Sequence, residues 1–282
     1  MFSVIVPAHN EATVIERCLR AMLADHRPGE LEIIVVPNGC TDDTAERARA
    51  FGDPVTVVDT SVPGKANALN VGDRRASGWP RMYVDADIVV SIEALREVAH
   101  LLREDSPIVV GAPRAIIDYE HHPRLAKSFI KVWTSLPYFT ENLIGAGFYA
   151  FSRRGRERFD EFPDIIADDG FARLQARPEE RGTTDGEHTF TITPPSTLRA
   201  IAKVMTRVHA GAFQLRERFP ELMRNESTSP SRSLEIVASN PRLWIHAPIY
   251  FGVVAYAKLR ARHKLRAQQT HVWERDETSR RA

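Results

Sequence analysis

Cysteine is nearly absent: the 282 residues hold two, Cys18 inside an apolar helical pattern and Cys40 in a turn-rich stretch. A disulfide framework is therefore not expected, no zinc-ligand spacing exists, and the usage fits a reducing, cytoplasmic compartment. Net charge is also missing. Lys and Arg total 38 against 37 acids, a formal charge of +1, which withholds the basic footprint that nucleic-acid binding needs. No apolar run reaches the roughly 20 residues that cross a bilayer as a helix. Residues 2–6 lack the basic n-region, long apolar h-region and cleavage site of a secretory signal, so none is expected. No repeat occurs at solenoid periods. Apolar residues, by contrast, make up 43% of the chain, ample for a buried core in one large domain or a domain with an appendage.

Strand and helix patterns alternate from the start. Residues 2–6 read as a buried strand, and 11–24 follow with Val14, Ile15, Cys18, Leu19, Met22 and Leu23 at helical spacing. Residues 31–36 form the next strand. Thr41 is then placed to cap a helix with Asp42 and Asp43 in its first turn, where the macrodipole favours acids. Strands over 55–58, 81–84 and 108–110, and helices over 66–76 and from a Ser91 cap to 102, continue the series. The alternation predicts an α/β fold with a mostly parallel central sheet flanked by helices, because parallel strands need crossover connections. Ligands collect at the carboxyl edge of such a sheet, and the irregular stretches 7–11, 37–41 and 85–87 all fall there.

After residue 110 the periodicity weakens. Residues 148–151 read as strand, 170–175 as helix, and 188–193 as an alternating strand ended by Pro194-Pro195, with a helix starting near Ser196 and a loop at His121-His122. Residues 217–233, with Asn225, Ser227, Thr228, Ser229 and Pro230, read as a linker or long loop. Residues 243–257 are uncharged and rich in aromatic and aliphatic side chains, and Lys258, Arg260, Arg262, Lys264 and Arg266 follow. Across 243–266 this fits an interfacial helix on a membrane surface. It fits equally a terminal helix docked on its own domain with a solvated basic end. The expected organisation is a domain over 1–215 and a helical C-terminal extension over 216–282, made of linker, apolar helix and basic tail.

Asp85-Ala86-Asp87 sits between the apolar runs Met82-Tyr83-Val84 and Ile88-Val89-Val90, where packing gives no reason for two acids. Carboxylates two apart at a strand end can both reach a hard divalent cation, which takes oxygen ligands and shares them with phosphates. Alone the triplet is weak, since it also forms turns.

Three other stretches change its weight. Ser3-Val4-Ile5-Val6-Pro7-Ala8-His9-Asn10-Glu11, Pro37-Asn38-Gly39-Cys40-Thr41-Asp42-Asp43-Thr44, Gly64-Lys65-Ala66-Asn67-Ala68-Leu69-Asn70-Val71-Gly72 and then Val84-Asp85-Ala86-Asp87 resemble, in order and spacing, the successive motifs of family 2 glycosyltransferases with the GT-A fold. A fainter likeness runs through 145–153 and 167–170. The resemblance implies inverting transfer of a sugar from a nucleotide-diphosphate donor to a hydroxyl of a glycan, a lipid-linked acceptor or a small molecule. It further implies Mg or Mn bound at the D-x-D triplet, a donor-binding half over 1–112, an acceptor-side half over 113–215, and work in cell-envelope, glycolipid or polysaccharide synthesis.

Residue by residue, the resemblance makes Asp87 the first metal ligand, puts Asp85 on the donor ribose or a metal-bound water, and sets Ala86 beside the donor. Asp168-Asp169 resembles the family's acidic pair, whose second member, Asp169, would take the acceptor proton. The other reading of that pair is an acidic start to the following helix. Pro7, Ala8, Asn10 and Glu11 would meet the nucleotide, Glu11 being otherwise a first-turn acid. Lys65 would lie near the base or the phosphates, or in solvent at a helix start. It is not a P-loop lysine, because Asp59 and Ala66 stand where that motif has Gly and Ser or Thr.

Departures from the pattern matter too. Pro37-Asn38-Gly39-Cys40 replaces the Asp-Asp-Gly-Ser of many relatives, so an acid for the base ring N–H is missing, although Asn38 offers a carbonyl oxygen. UDP is expected ahead of GDP or TDP. No Gln-x-x-Arg-Trp occurs, which disfavours processive synthesis. Arg207-Val208-His209 is the candidate for that region, with Arg207 toward the diphosphate and His209 as a further metal ligand; a helix face with a satisfied histidine fits as well. Two other functions stay open. One is a nucleotidyltransferase making sugar nucleotides, against which stands the lack of a Gly-rich, Arg-containing opening loop. The other is a nucleotide-binding regulatory protein without catalysis.

Overall fold

The computed structural model describes residues 1–267 apart from 142, so the tail expected beyond 267 lies outside the described residues. The first five strands and four helices run β1 (Phe2–Ala8), α1 (Ile15–Leu23), β2 (Leu31–Pro37), α2 (Thr44–Arg49), β3 (Val55–Val57), α3 (Lys65–Arg75), β4 (Arg81–Val84), α4 (Ile92–Leu101) and β5 (Val110–Ala112). The second half contributes β6 (Arg114–Ile117), α5 (Arg124–Trp133), α6 (Pro137–Thr140), β7 (Phe148–Phe151), α7 (Arg153–Arg156), α8 (Asp168–Leu174), β8 (Arg181–Thr183), β9 (Thr189–Ile192), α9 (Leu198–Arg218), α10 (Pro230–Ser239), α11 (Pro241–Trp244) and α12 (Ala247–Arg266).

Seven strands form the central sheet in the order β3-β2-β1-β4-β7-β5-β8. The β1–β2, β1–β4, β2–β3 and β5–β8 pairs are parallel, and β7 enters antiparallel between β4 and β5. The sheet is thus mostly parallel, as expected, and its central strands are continuous apolar runs because helices cover both faces. Ile5, Ile33, Val35 and Met82 are fully buried in this core. β6 and β9 pair as a separate two-stranded parallel ribbon. A second apolar cluster joins α5, α9, α11 and α12 through Phe129, Ile130, Ile201, Met205, Leu243 and Tyr250.

A Cβ on Gly72 would come 2.5 Å from Ile5 Cγ2, so its bare backbone lets α3, whose first residue is Lys65, seat directly on β1.

Four expectations are corrected. The first helix starts at Ile15 rather than residue 11, because Asn10 turns left-handed (φ 52°) and the Glu11 carbonyl accepts the Val14 and Ile15 N–H groups in a turn. Thr41 caps nothing. Its N–H donates to Asn10 Oδ1, Asp42 Oδ1 accepts from the Thr44 N–H, and α2 begins at Thr44. The fifth strand is shifted to Val110–Ala112. Residues 217–233 are no open linker: they hold the end of α9, a 3₁₀ segment Pro220–Asn225 and the start of α10. Buried Asn225 donates to the Leu174 carbonyl, and Glu226 pairs with Arg173. The Ser91 cap is present, its hydroxyl accepting from the Ala94 N–H.

Candidate active site

The ends of β1 and β2 are tied by one side chain. Asn38 is buried, its Nδ2 donates to the Ala8 carbonyl at 2.8 Å, and its Oδ1 accepts from the Gly64 N–H at 3.1 Å. The side-chain oxygen expected to face a nucleotide base thus accepts one hydrogen bond within the protein and keeps a second lone pair, and Asn38 acts as a strap holding the loop before α3 against β1. Cys40 adds to the same junction, taking the Asn10 N–H and donating to the Ala8 carbonyl. Pro7 and Ala8 are buried at the end of β1, Asn10 is half-buried at the rim, and Glu11 is buried with its N–H on Thr44 Oγ1.

One ammonium links the acids of the two halves. Lys65 Nζ lies 2.8 Å from Asp85 Oδ1 and 3.0 Å from Asp168 Oδ2. Lys65 is thus not a solvated helix-start lysine: it bridges the end of β4 to the start of α8. Burial disfavours its charge, yet Asp168 and Asp85 hold it protonated above the ordinary lysine range. Burial pushes the Asp168 carboxyl up, Lys65 opposes that rise, and Asp169 and Asp85 add to it. Tyr149 from β7 donates to the same oxygen, Asp168 Oδ2, at 3.1 Å. Ala86 is buried and Asp87 half-buried. Asp85 and Asp87 both act on Cys18 beneath them, whose thiol is pushed up first by its own burial.

Asp169 sits in a different setting. It is half-buried, and its Oδ1 accepts from the Gly170 N–H. Its Oδ2 would lie 2.7 Å from a Cβ built on Gly145, and the Tyr138 hydroxyl 3.1 Å from that same Cβ. Gly145, Ala146 and Gly147 all have positive φ (113°, 54° and 98°). Two of the three being glycine permits that path, and Ala146 is held there at a steric cost. The loop ties both acid groups together, since the Gly147 carbonyl accepts from the Asp85 N–H at 2.9 Å while Gly145 abuts Asp169. Neither this loop nor Tyr138 and Tyr149 is assigned a role from sequence; the glycine pair flanking Ala146 is the signal that was available.

Arg207 is exposed on α9, and His209 is half-buried near Lys258 of α12. Burial first, and Lys258 second, lower its pKa to about 4, with no carboxylate acting on it. The expectation that it joins Asp85 and Asp87 as a metal ligand has no support in this geometry. Among the described residues no cluster of three His, Cys, Asp or Glu side chains forms a metal cage.

Glycosyltransferase AglE of Haloferax volcanii is 34% identical over 90 residues, 30% of this chain and 30% of that protein, so the matched segment spans under a third of the relative. The mannosyltransferase PcManGT of Pyrobaculum calidifontis, solved with GDP-Man and Mn2+, superposes with a TM-score of 0.57 at 24% identity, covering 97% of this chain and 76% of that one. Glucosyl-3-phosphoglycerate synthase of Mycobacterium tuberculosis, solved with Mn2+, UDP-glucose and phosphoglyceric acid, gives 0.54 at 21% identity over 77% of this chain and 79% of that one. At these identities the two structures speak to the fold alone, which is the GT-A fold. The model of the Glycosyl transferase family 2 matches residues 3–166, a span holding both strapped strand ends, Lys65, the Asp85-Ala86-Asp87 triplet and the glycine loop, and the chain belongs to that family.

Proposed function

We propose that the chain is an inverting, non-processive glycosyltransferase that moves a sugar from a nucleotide-diphosphate donor to an acceptor hydroxyl. The observation carrying this reading is the Lys65 bridge, which brings the triplet acid Asp85 and the pair acid Asp168 to one ammonium at the carboxyl edge of the sheet. Asp169, the more open acid of its pair, takes the proton as the hydroxyl attacks. Asp168, held by Lys65 and Tyr149, orients the start of α8 behind the base.

The carboxylates of Asp85 and Asp87 suit a hard divalent cation, Mg or Mn. With no three-ligand cage among the described residues, its other ligands would be donor phosphates and water. Such a cation supplies positive charge to a departing diphosphate. The GDP-Man and UDP-glucose complexes of the neighbours support a nucleotide-sugar donor of this class, while the preference for uridine rests on the sequence alone. An acceptor half over 113–215 completes the proposal.

Assays of donor turnover with Asp169→Asn test it. The variant is expected to bind donor as the wild type does and to lose about 100-fold or more in kcat. Full activity would remove Asp169 as the base. Tight nucleotide-diphosphate binding by the wild type without turnover on any acceptor would instead favour the non-catalytic reading.

A further inference from the structure

The helix α12 is docked on one side only. Tyr250, Ala257 and Ala261 are buried and Val253 and Val254 half-buried against α9 and α5. The opposite face, where Pro248, Phe251, Ala255, Leu259 and Arg266 recur along the helix, is exposed, while Arg262 at its edge reaches over the Phe213 ring of α9. A helix resting on its own domain turns a polar face outward. Here the outward face is apolar in its first half and basic in its second. Leu259 is 67% exposed, and Trp244 and Ile245, just before the helix, are 59% and 79% exposed. Charge segregation is an independent observation. Residues 236–267 contain six Lys or Arg and no acid, in a chain whose total is +1, so the remainder carries −5.

We propose that the outward face of α11 and α12 lies on an anionic lipid bilayer, with the aromatic and aliphatic side chains at headgroup level and the basic ones against lipid phosphates. No helix among the described residues is long and apolar enough to cross a membrane, so the contact is in the plane of the surface. A second copy of the chain would set six positive charges against six, which disfavours self-association through this face. Nucleic acid would engage the arginines but gives Ile245 and Leu259 nothing to bury against. The proposal depends on the helix and its charge alone and stands or falls separately from the transfer reading.

Sedimentation of the full chain with vesicles tests it. Binding is expected on phosphatidylcholine mixed with phosphatidylglycerol, but not on phosphatidylcholine alone, and it should weaken in high salt. Arg260→Gln with Arg266→Gln should lower the partition coefficient about 25-fold, about fivefold for each basic residue. Phe251→Ser with Leu259→Ser should lower it about tenfold or more with the circular dichroism of the folded chain kept. Equal binding to both vesicle types, or full binding by both double variants, would overturn the proposal. A dimer without lipid that Phe251→Ser with Leu259→Ser dissolves would assign the face to a second copy and overturn it as well.

Discussion

Replacing Lys65 with Met leaves Asp85 and Asp168 without their shared cation. The consequence differs at the two ends. The Asp85 side chain is 38% exposed, so water replaces most of what it loses. The Asp168 side chain, at 8%, has no such recourse, and Tyr149 is the neutral donor left to it. Removing one partner of a buried pair costs roughly 3–5 kcal/mol. With Met keeping the apolar stem, the expected loss is about 3 kcal/mol, a fall in Tm of about 6–12 °C. The sign with pH is fixed. In the variant the Asp168 carboxyl rises further above its unfolded value, because burial, Asp169 and Asp85 remain while the opposing lysine is gone. The folded variant then holds a proton that the unfolded chain releases, so its stability is highest at acid pH and is lost as pH rises through the folded pKa. Guanidinium denaturation of both proteins should show the deficit at about pH 8 and a clearly smaller one near pH 4 to 5. A deficit under about 0.5 kcal/mol, or one that does not change with pH, would refute the buried bridge.

Gly145→Ala should cost about 2–3 kcal/mol, since it forces a side chain onto φ 113° and against Asp169 Oδ2. Kinetics should show kcat falling with donor affinity kept, because the clash falls on the acid pair and not on the nucleotide side. For His209, the folded pKa of about 4 against 6.5 unfolded means a stabilising contribution that is full above 6.5 and lost as pH falls through about 4. Wild type should lose about 2 kcal/mol across that window, after allowance for partial exposure, and His209→Gln should lose less, as read by denaturation at each pH.

The donor-side half was legible because its signals are local. Alternating periods of two kinds give β1 to β4 and their helices, and the acids at 85 and 87 fall at a strand end whatever the rest of the chain does. The second half depends on distant partners. Four consecutive apolar residues, Phe148 to Phe151, mark a strand but carry nothing about direction, so its antiparallel entry between β4 and β5 could not be read. Polar composition misled at 217–233, where Asn225 and Glu226 are polar because they satisfy α8 rather than water. Helix α5 is not among the expected elements, although Ala126, Phe129, Ile130 and Trp133 stand at helical spacing. Lys65 joins positions 85 and 168 through the fold alone, and Asn38, which sequence assigns to the ligand, also ties β1 to the loop before α3.

The central claim is that the Asp85-Ala86-Asp87 end of β4 holds a cation together with a donor diphosphate. Thermal denaturation with UDP, GDP and TDP, with and without Mn2+, on wild type and Asp87→Ala tests it most directly. One nucleotide should stabilise the wild type by about 2.7 kcal/mol at a hundredfold excess over Kd, only when the cation is present, and Asp87→Ala should lose that gain. Stabilisation that ignores the cation, or that survives Asp87→Ala, would contradict the account.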